Sequence, residues 1–125
     1  MKIMDALYRI DELKPNSYSQ AEKIKWLSSL DGVIKSEIID THEGGEDKVF
    51  PVEGYSESIA LATELLVPAP YDDIYLKWLE AQIDYNNGEI SKYNNSLVAY
   101  NDAYDLYQRH YNRTHMPKGT KLKYF

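Results

Sequence analysis

Residues 90–113 read ISKYNNSLVAYNDAYDLYQRHYNR, and Ile90, Tyr93, Leu97, Tyr100, Tyr104, Tyr107 and Tyr111 alternate steps of three and four along them. That rhythm keeps one stripe on one side of a 3.6-residue helix, so the segment predicts a long helix whose seam neighbours must cover. Tyrosine fits poorly into the knobs-into-holes packing of a regular coiled coil, so the seam points to a helical bundle. Upstream, Tyr71, Ile74, Tyr75, Trp78, Ala81, Gln82 and Tyr85 form a second aromatic stripe, with Lys77, Glu80 and Asp84 opposite. The five-residue step from Tyr85 to Ile90 throws the two stripes out of phase beside Gly88, which predicts two helices rather than one rod.

The rest of the chain supplies two more helices. Ile3, Leu7, Ile10 and Leu13 repeat at helical spacing until Pro15 stops them, giving a short helix over residues 2–13. Ser19-Gln20-Ala21-Glu22 has the capping-box form in which a hydroxyl and a carboxylate satisfy free backbone donors at a helix start. From there Ile24, Leu27, Leu30, Ile34 and Ile38 hold one stripe to about residue 40, broadened by Trp26 and Val33. The helix is carried through Gly32 at a cost of about 1 kcal/mol, with a break at Gly32 as the main alternative. Residues 41–64 have no period, and Gly44, Gly45, Pro51 and Gly54 punctuate them. Val49-Phe50 and Leu65-Leu66-Val67 could each form a brief strand, together a short β hairpin at most. After Pro68-Ala69-Pro70, Asp72 and Asp73 are expected in the first turn of helix three, where the helix dipole favours acids. The expectation is a mainly α, small four-helix bundle-like domain over residues 1–113, with a long loop between helices two and three and an extended tail over 114–125.

Charge is distributed unevenly. The net charge is −6, yet residues 106–125 contain no acid and five bases, which leaves residues 1–105 with nine bases against twenty acids. An acidic body repels nucleic-acid phosphates and disfavours a dedicated DNA or RNA reader. The absence of cysteine excludes disulfides, thiolate zinc sites and a cysteine nucleophile, and suits a reducing cytoplasm. Met1-Lys2-Ile3-Met4-Asp5 meets charge before a signal-peptide apolar run can form, and no stretch has the apolar length of a membrane span.

Catalytic chemistry finds no foothold in the sequence. His110 and His115 stand five apart without a nearby acid, whereas a helical zinc pair wants a spacing of four and a carboxylate. His42 and Glu43 beside Glu46 and Asp47 could offer oxygen ligands to a divalent cation, but the spacing of a calcium loop is missing and a solvated acidic loop is the simpler reading. No nucleophile elbow, Ser-x-x-Lys pair or phosphate loop is present. The reading is a non-enzyme without metal or cofactor. Twelve tyrosines against two phenylalanines, eight of them between Tyr71 and Tyr111, serve either a core with hydroxyls at its edge or a protein interface.

Four segments carry a resemblance: residues 41–46 (THEGGE), 64–73 (ELLVPAPYDD), 93–96 (YNNS) and 111–117 (YNRTHMP). They resemble the head–tail connector, or adaptor, proteins of tailed phages and prophages of Gram-positive bacteria. The likeness spans nearly the whole chain except residues 47–62. It implies a helical homo-oligomeric ring, commonly of twelve copies, made in the host cytoplasm and placed in the virion at the head–tail junction. Such a ring docks on the portal protein, meets a tail-proximal connector protein and lets DNA pass through an acidic channel without specific binding. The expected partner contacts are His42, Glu43, Glu46, Asp47, Phe50 and Tyr55 in the loop, and Lys118, Lys121, Leu122, Lys123, Tyr124 and Phe125 in the tail. The alternative is a small regulatory module that binds another protein through its tyrosine-rich face.

Overall fold

A computed structural model describes residues 1–119. Helix α1 spans Ile3–Leu13, α2 spans Gln20–Ile34 and runs straight into a π-helical turn at Lys35–Ile39, α3 spans Ile74–Asn86 and α4 spans Ile90–Thr114. The protein is a small, mainly α bundle, as the periodicities predict. Ser19 caps α2 by accepting the Glu22 N–H at 3.1 Å. Gly32 does not break α2; the Phe50 ring packs over it, its nearest atoms 3.7 Å from where a Cβ would stand, an ordinary contact distance.

α3 is the central element, packed against α1 and α2 on one side and α4 on the other. Ile74, Tyr75, Leu76, Leu79, Ala81 and Ile83 are all buried, so this helix is covered on more sides than a single stripe allows. Two expectations fail here. Asp84, read as part of a polar outer face, is fully buried, and Tyr85, read as part of the apolar stripe, is exposed. Asp84 is tolerated inside because Lys14 Nζ from the end of α1 lies 2.5 Å from its Oδ1, and Ser96 of α4 donates to its Oδ2 at 2.6 Å. Asp72 and Asp73 precede α3 instead of entering its first turn, and Asp72 lies 3.5 Å from the Met1 ammonium.

α4 returns antiparallel to α3 through Asn87–Glu89, where Gly88 adopts φ +74°. Its seam behaves as two parts. Tyr107 and Tyr111 are buried, Tyr93, Leu97, Tyr100 and Tyr104 are half-buried, and Ile90 at the start is 60 % exposed.

The segment from 40 to 73 contains no strand, so the short hairpin is not formed; among the described residues only two isolated antiparallel bridges occur, Lys2 with Glu64 and His42 with Pro117. Residues 45–63 advance by turns instead, with Lys48, Gly54, Ile59 and Thr63 each donating an N–H to the carbonyl three residues earlier. This path also completes α1. The otherwise unpaired N–H groups of Ile3 and Met4 donate to Thr63 O and Leu61 O, both at 3.0 Å. Leu65, Leu66 and Val67 are buried in the core, where each apolar side chain contributes about 1.5–3 kcal/mol relative to exposure.

Candidate functional site

The loop is held by one buried carboxylate. Asp31, fully inside on α2, accepts the Tyr55 hydroxyl at 2.5 Å, the Leu66 N–H at 3.1 Å and the Tyr75 hydroxyl at 2.6 Å. Tyr75 in turn accepts the Val67 N–H at 2.7 Å. Burial pushes the Asp31 carboxyl above its ordinary value, opposed by the three hydrogen bonds it accepts. Burial, then the charge of Asp31, pushes both tyrosine hydroxyls up, so they act as donors here and not as acids. The cluster is closed to solvent and ties the loop to α2 and α3. Its place in the sequence gave no hint, because Asp31 sits beside Gly32 where a helix break competes, and its partners lie 24 to 44 residues away.

A second cluster forms where the chain returns to the start of the loop. After α4, residues 115–118 fold back on residues 41–43: Glu43 N–H donates to Met116 O at 2.8 Å and Lys118 N–H to Thr41 O at 2.9 Å. The expected extended tail from residue 114 is therefore helix at Thr114 and a pinned strap at 115–118. All three histidines converge on this strap. His115 stacks on Tyr111 with ring centroids 3.8 Å apart, His42 meets Tyr111 edge-on at 5.1 Å, and His110 stacks on Tyr71 at 4.5 Å. His42 Nδ1 is 2.7 Å from Ile38 O, and Thr41 Oγ1 donates to the same carbonyl at 2.9 Å, so both residues close the end of the π-helical turn.

Among the expected contact residues, His42 and Tyr55 are buried and serve these two clusters, which makes them anchors rather than free surface. Phe50 is half-buried, edge-on to Tyr55 at 5.0 Å. Glu43, Glu46, Asp47 and Lys118 are exposed around the strap. Lys121, Leu122, Lys123, Tyr124 and Phe125 lie outside the described residues. Sequence reasoning missed Tyr111, Tyr107 and Tyr71 as elements of this corner; the signal available was the pairing of Tyr111 with His115 at helical spacing.

Tyr111 is the unusual member. It is 3 % exposed, and its hydroxyl has no hydrogen-bond partner among the described residues. Burial raises its pKa first, followed by the charges of Asp47, Glu46 and Asp40. Those acids do not converge as ligands: among the described residues no group of three or more His, Cys, Asp or Glu side chains is placed to hold a metal ion. No described helix is long and apolar enough to cross a membrane. Comparison with protein-family models, with curated proteins and with solved structures finds no match.

Proposed function

We propose that the chain is a non-catalytic structural subunit of a phage head–tail connector, forming a ring that docks on the portal protein and extends the DNA channel toward the tail. The observation that carries this reading is the strap. Residues 116–118 are hydrogen-bonded to residues 41–43, so Lys118 and the acidic start of the loop stand at one fixed corner of the helical body. The terminal segment is the element that the resemblance assigns to the portal, and the loop is the one whose length without a period marks it as a partner surface. The acidic excess of residues 1–105 suits a channel wall along which DNA slides without adhering.

The test is electron microscopy of the purified protein mixed with portal complexes of the same phage. An added ring on one face is expected, and deletion of residues 120–125 should abolish it while leaving the circular dichroism of the bundle unchanged. Absence of added density with folded protein in excess would overturn the reading. A regulatory binding module is the second reading, favoured by the exposed Tyr85 beside Tyr93 and the half-buried Tyr100 and Tyr104. It requires loss of binding to a purified host partner on mutation of Tyr85 and Tyr93, together with no affinity for portal.

A further inference from the structure

Asn87-Gly88 is the one Asn-Gly pair in the sequence, and it stands exposed in the turn between α3 and α4. An asparagine before glycine is open to attack on its own side chain, because glycine brings no Cβ to hinder the approach of its peptide nitrogen. The Asn87 side chain is also held from outside the turn. The Tyr18 hydroxyl, in the segment leading into α2, donates to Asn87 Oδ1 at 2.6 Å. We propose that Asn87 is a site of spontaneous self-modification by deamidation, and that the Tyr18 hydroxyl gates it.

The chemistry needs only water. The Gly88 nitrogen loses its proton and attacks Asn87 Cγ, a C–N bond forms, and the Asn87 Nδ2 nitrogen leaves as ammonia, which closes a five-membered cyclic imide. Water then opens either imide carbonyl, to aspartate or to isoaspartate, with no change of oxidation state. The closed turn opposes the first step in two ways. Asn87 has ψ −8°, and the imide ring can close only after that bond rotates. The Gly88 N–H is also engaged, donating to Tyr85 O at 3.1 Å, while the Asn87 and Glu89 N–H groups on either side donate to Ile83 O at 2.9 Å and Asp84 O at 3.0 Å. The reaction therefore runs from the locally opened turn, and each contact that keeps the turn shut lowers its rate. Tyr18 supplies such a contact from another part of the fold, and its ring is fixed edge-on against Trp26 at 5.4 Å. Conversion adds one negative charge, and the isoaspartate form routes the main chain through the Asn87 side chain, lengthening the turn that sets α4 against α3.

The site is independent of the connector reading, because the isolated full chain tests it without a portal. The protein is aged in mildly alkaline buffer, and peptide mapping by mass spectrometry follows conversion of Asn87 in the folded parent, in folded Tyr18→Phe and in the parent unfolded in urea. The unfolded chain should convert at least about tenfold faster than the folded parent, since no closed turn restrains it. Tyr18→Phe keeps the ring against Trp26 and loses only the hydroxyl, so it should convert about two- to tenfold faster than the parent, the change in open population that one net hydrogen bond sets. Hydrogen exchange of the Gly88 amide should rise by the same factor in that variant, as gating by opening requires. Absence of conversion at Asn87 in both Tyr18→Phe and the unfolded chain overturns the site. Equal rates in the parent and Tyr18→Phe, or in the folded and unfolded parent, overturn the gate.

Discussion

Replacing Asp31 with alanine should unravel the loop before it unravels the bundle. Removing the carboxylate deprives three donors of their acceptor: the Tyr55 hydroxyl, the Tyr75 hydroxyl and the Leu66 N–H. Tyr55 lies nearest the surface of the three and can turn toward water, whereas Tyr75 is fully buried. Two stranded buried donors at about 1–3 kcal/mol each, less the relief of no longer desolvating a carboxylate, give a loss of about 2–4 kcal/mol. For a domain of total stability about 5–15 kcal/mol this is a large fraction. With a urea m-value of about 1.5 kcal/mol/M, the midpoint should fall by about 1–3 M. Tyr75→Phe should cost more than Tyr55→Phe, because it strands the Val67 N–H as well as removing a donor to Asp31. Amide exchange should show Leu66 and Val67 losing protection before α3 does. A midpoint for Asp31→Ala within about 0.3 M of the parent would refute the claim that this carboxylate holds the loop.

Three other outcomes follow from the same contacts. Because the folded-state pKa of Asp31 is raised above 3.8, the native state binds more protons than the unfolded chain between 3.8 and that raised value. The contribution of this group is thus full below 3.8 and is lost as pH rises through the folded pKa, so urea titrations should find the stability gap between the parent and Asp31→Asn shrinking as pH increases. Asp84→Ala should cost about 2–4 kcal/mol by stranding Lys14 and Ser96, and the paired change K14M/D84L should recover most of that loss in the same assay. At Gly45 an added Cβ would stand 2.6 Å from Ile39 Cγ2 and 3.1 Å from the Tyr111 hydroxyl, so Gly45→Ala should destabilise by about 1–3 kcal/mol and loosen the strap amides of Glu43 and Lys118.

The helices were legible because each carries a local signal. The three-four rhythm of α4, the Ser19 cap and the breakers around Pro15 and Gly88 all act within a few residues, and the structure places the helices within one or two residues of those marks. The π-helical turn at Lys35–Ile39 was not legible, since the apolar stripe runs through it unbroken and the Thr41 and His42 contacts that close its end lie beyond the stripe. α3 misled for a different reason. A helix covered on several sides loses the polar face that periodicity relies on, and Asp84 looked like surface because its partners Lys14 and Ser96 come from other helices. The loop does lack a period, yet its order comes from long-range hydrogen bonds to Asp31 and to the start of α1, which no local pattern announces.

Tyr111 sits where the loop and the strap meet. Its ring is an anchor: His115 covers one side, His42 meets it edge-on, and Gly45 leaves the space that its hydroxyl occupies. Phenylalanine would supply the same ring without leaving a buried oxygen unpaired. On stability alone, therefore, Tyr111→Phe should be neutral or stabilising by up to about 1 kcal/mol. The deciding measurement is the thermal midpoint of Tyr111→Phe, which should equal or exceed that of the parent. If the variant is instead less stable than the parent, the hydroxyl is already satisfied in the free protein and its role is purely structural.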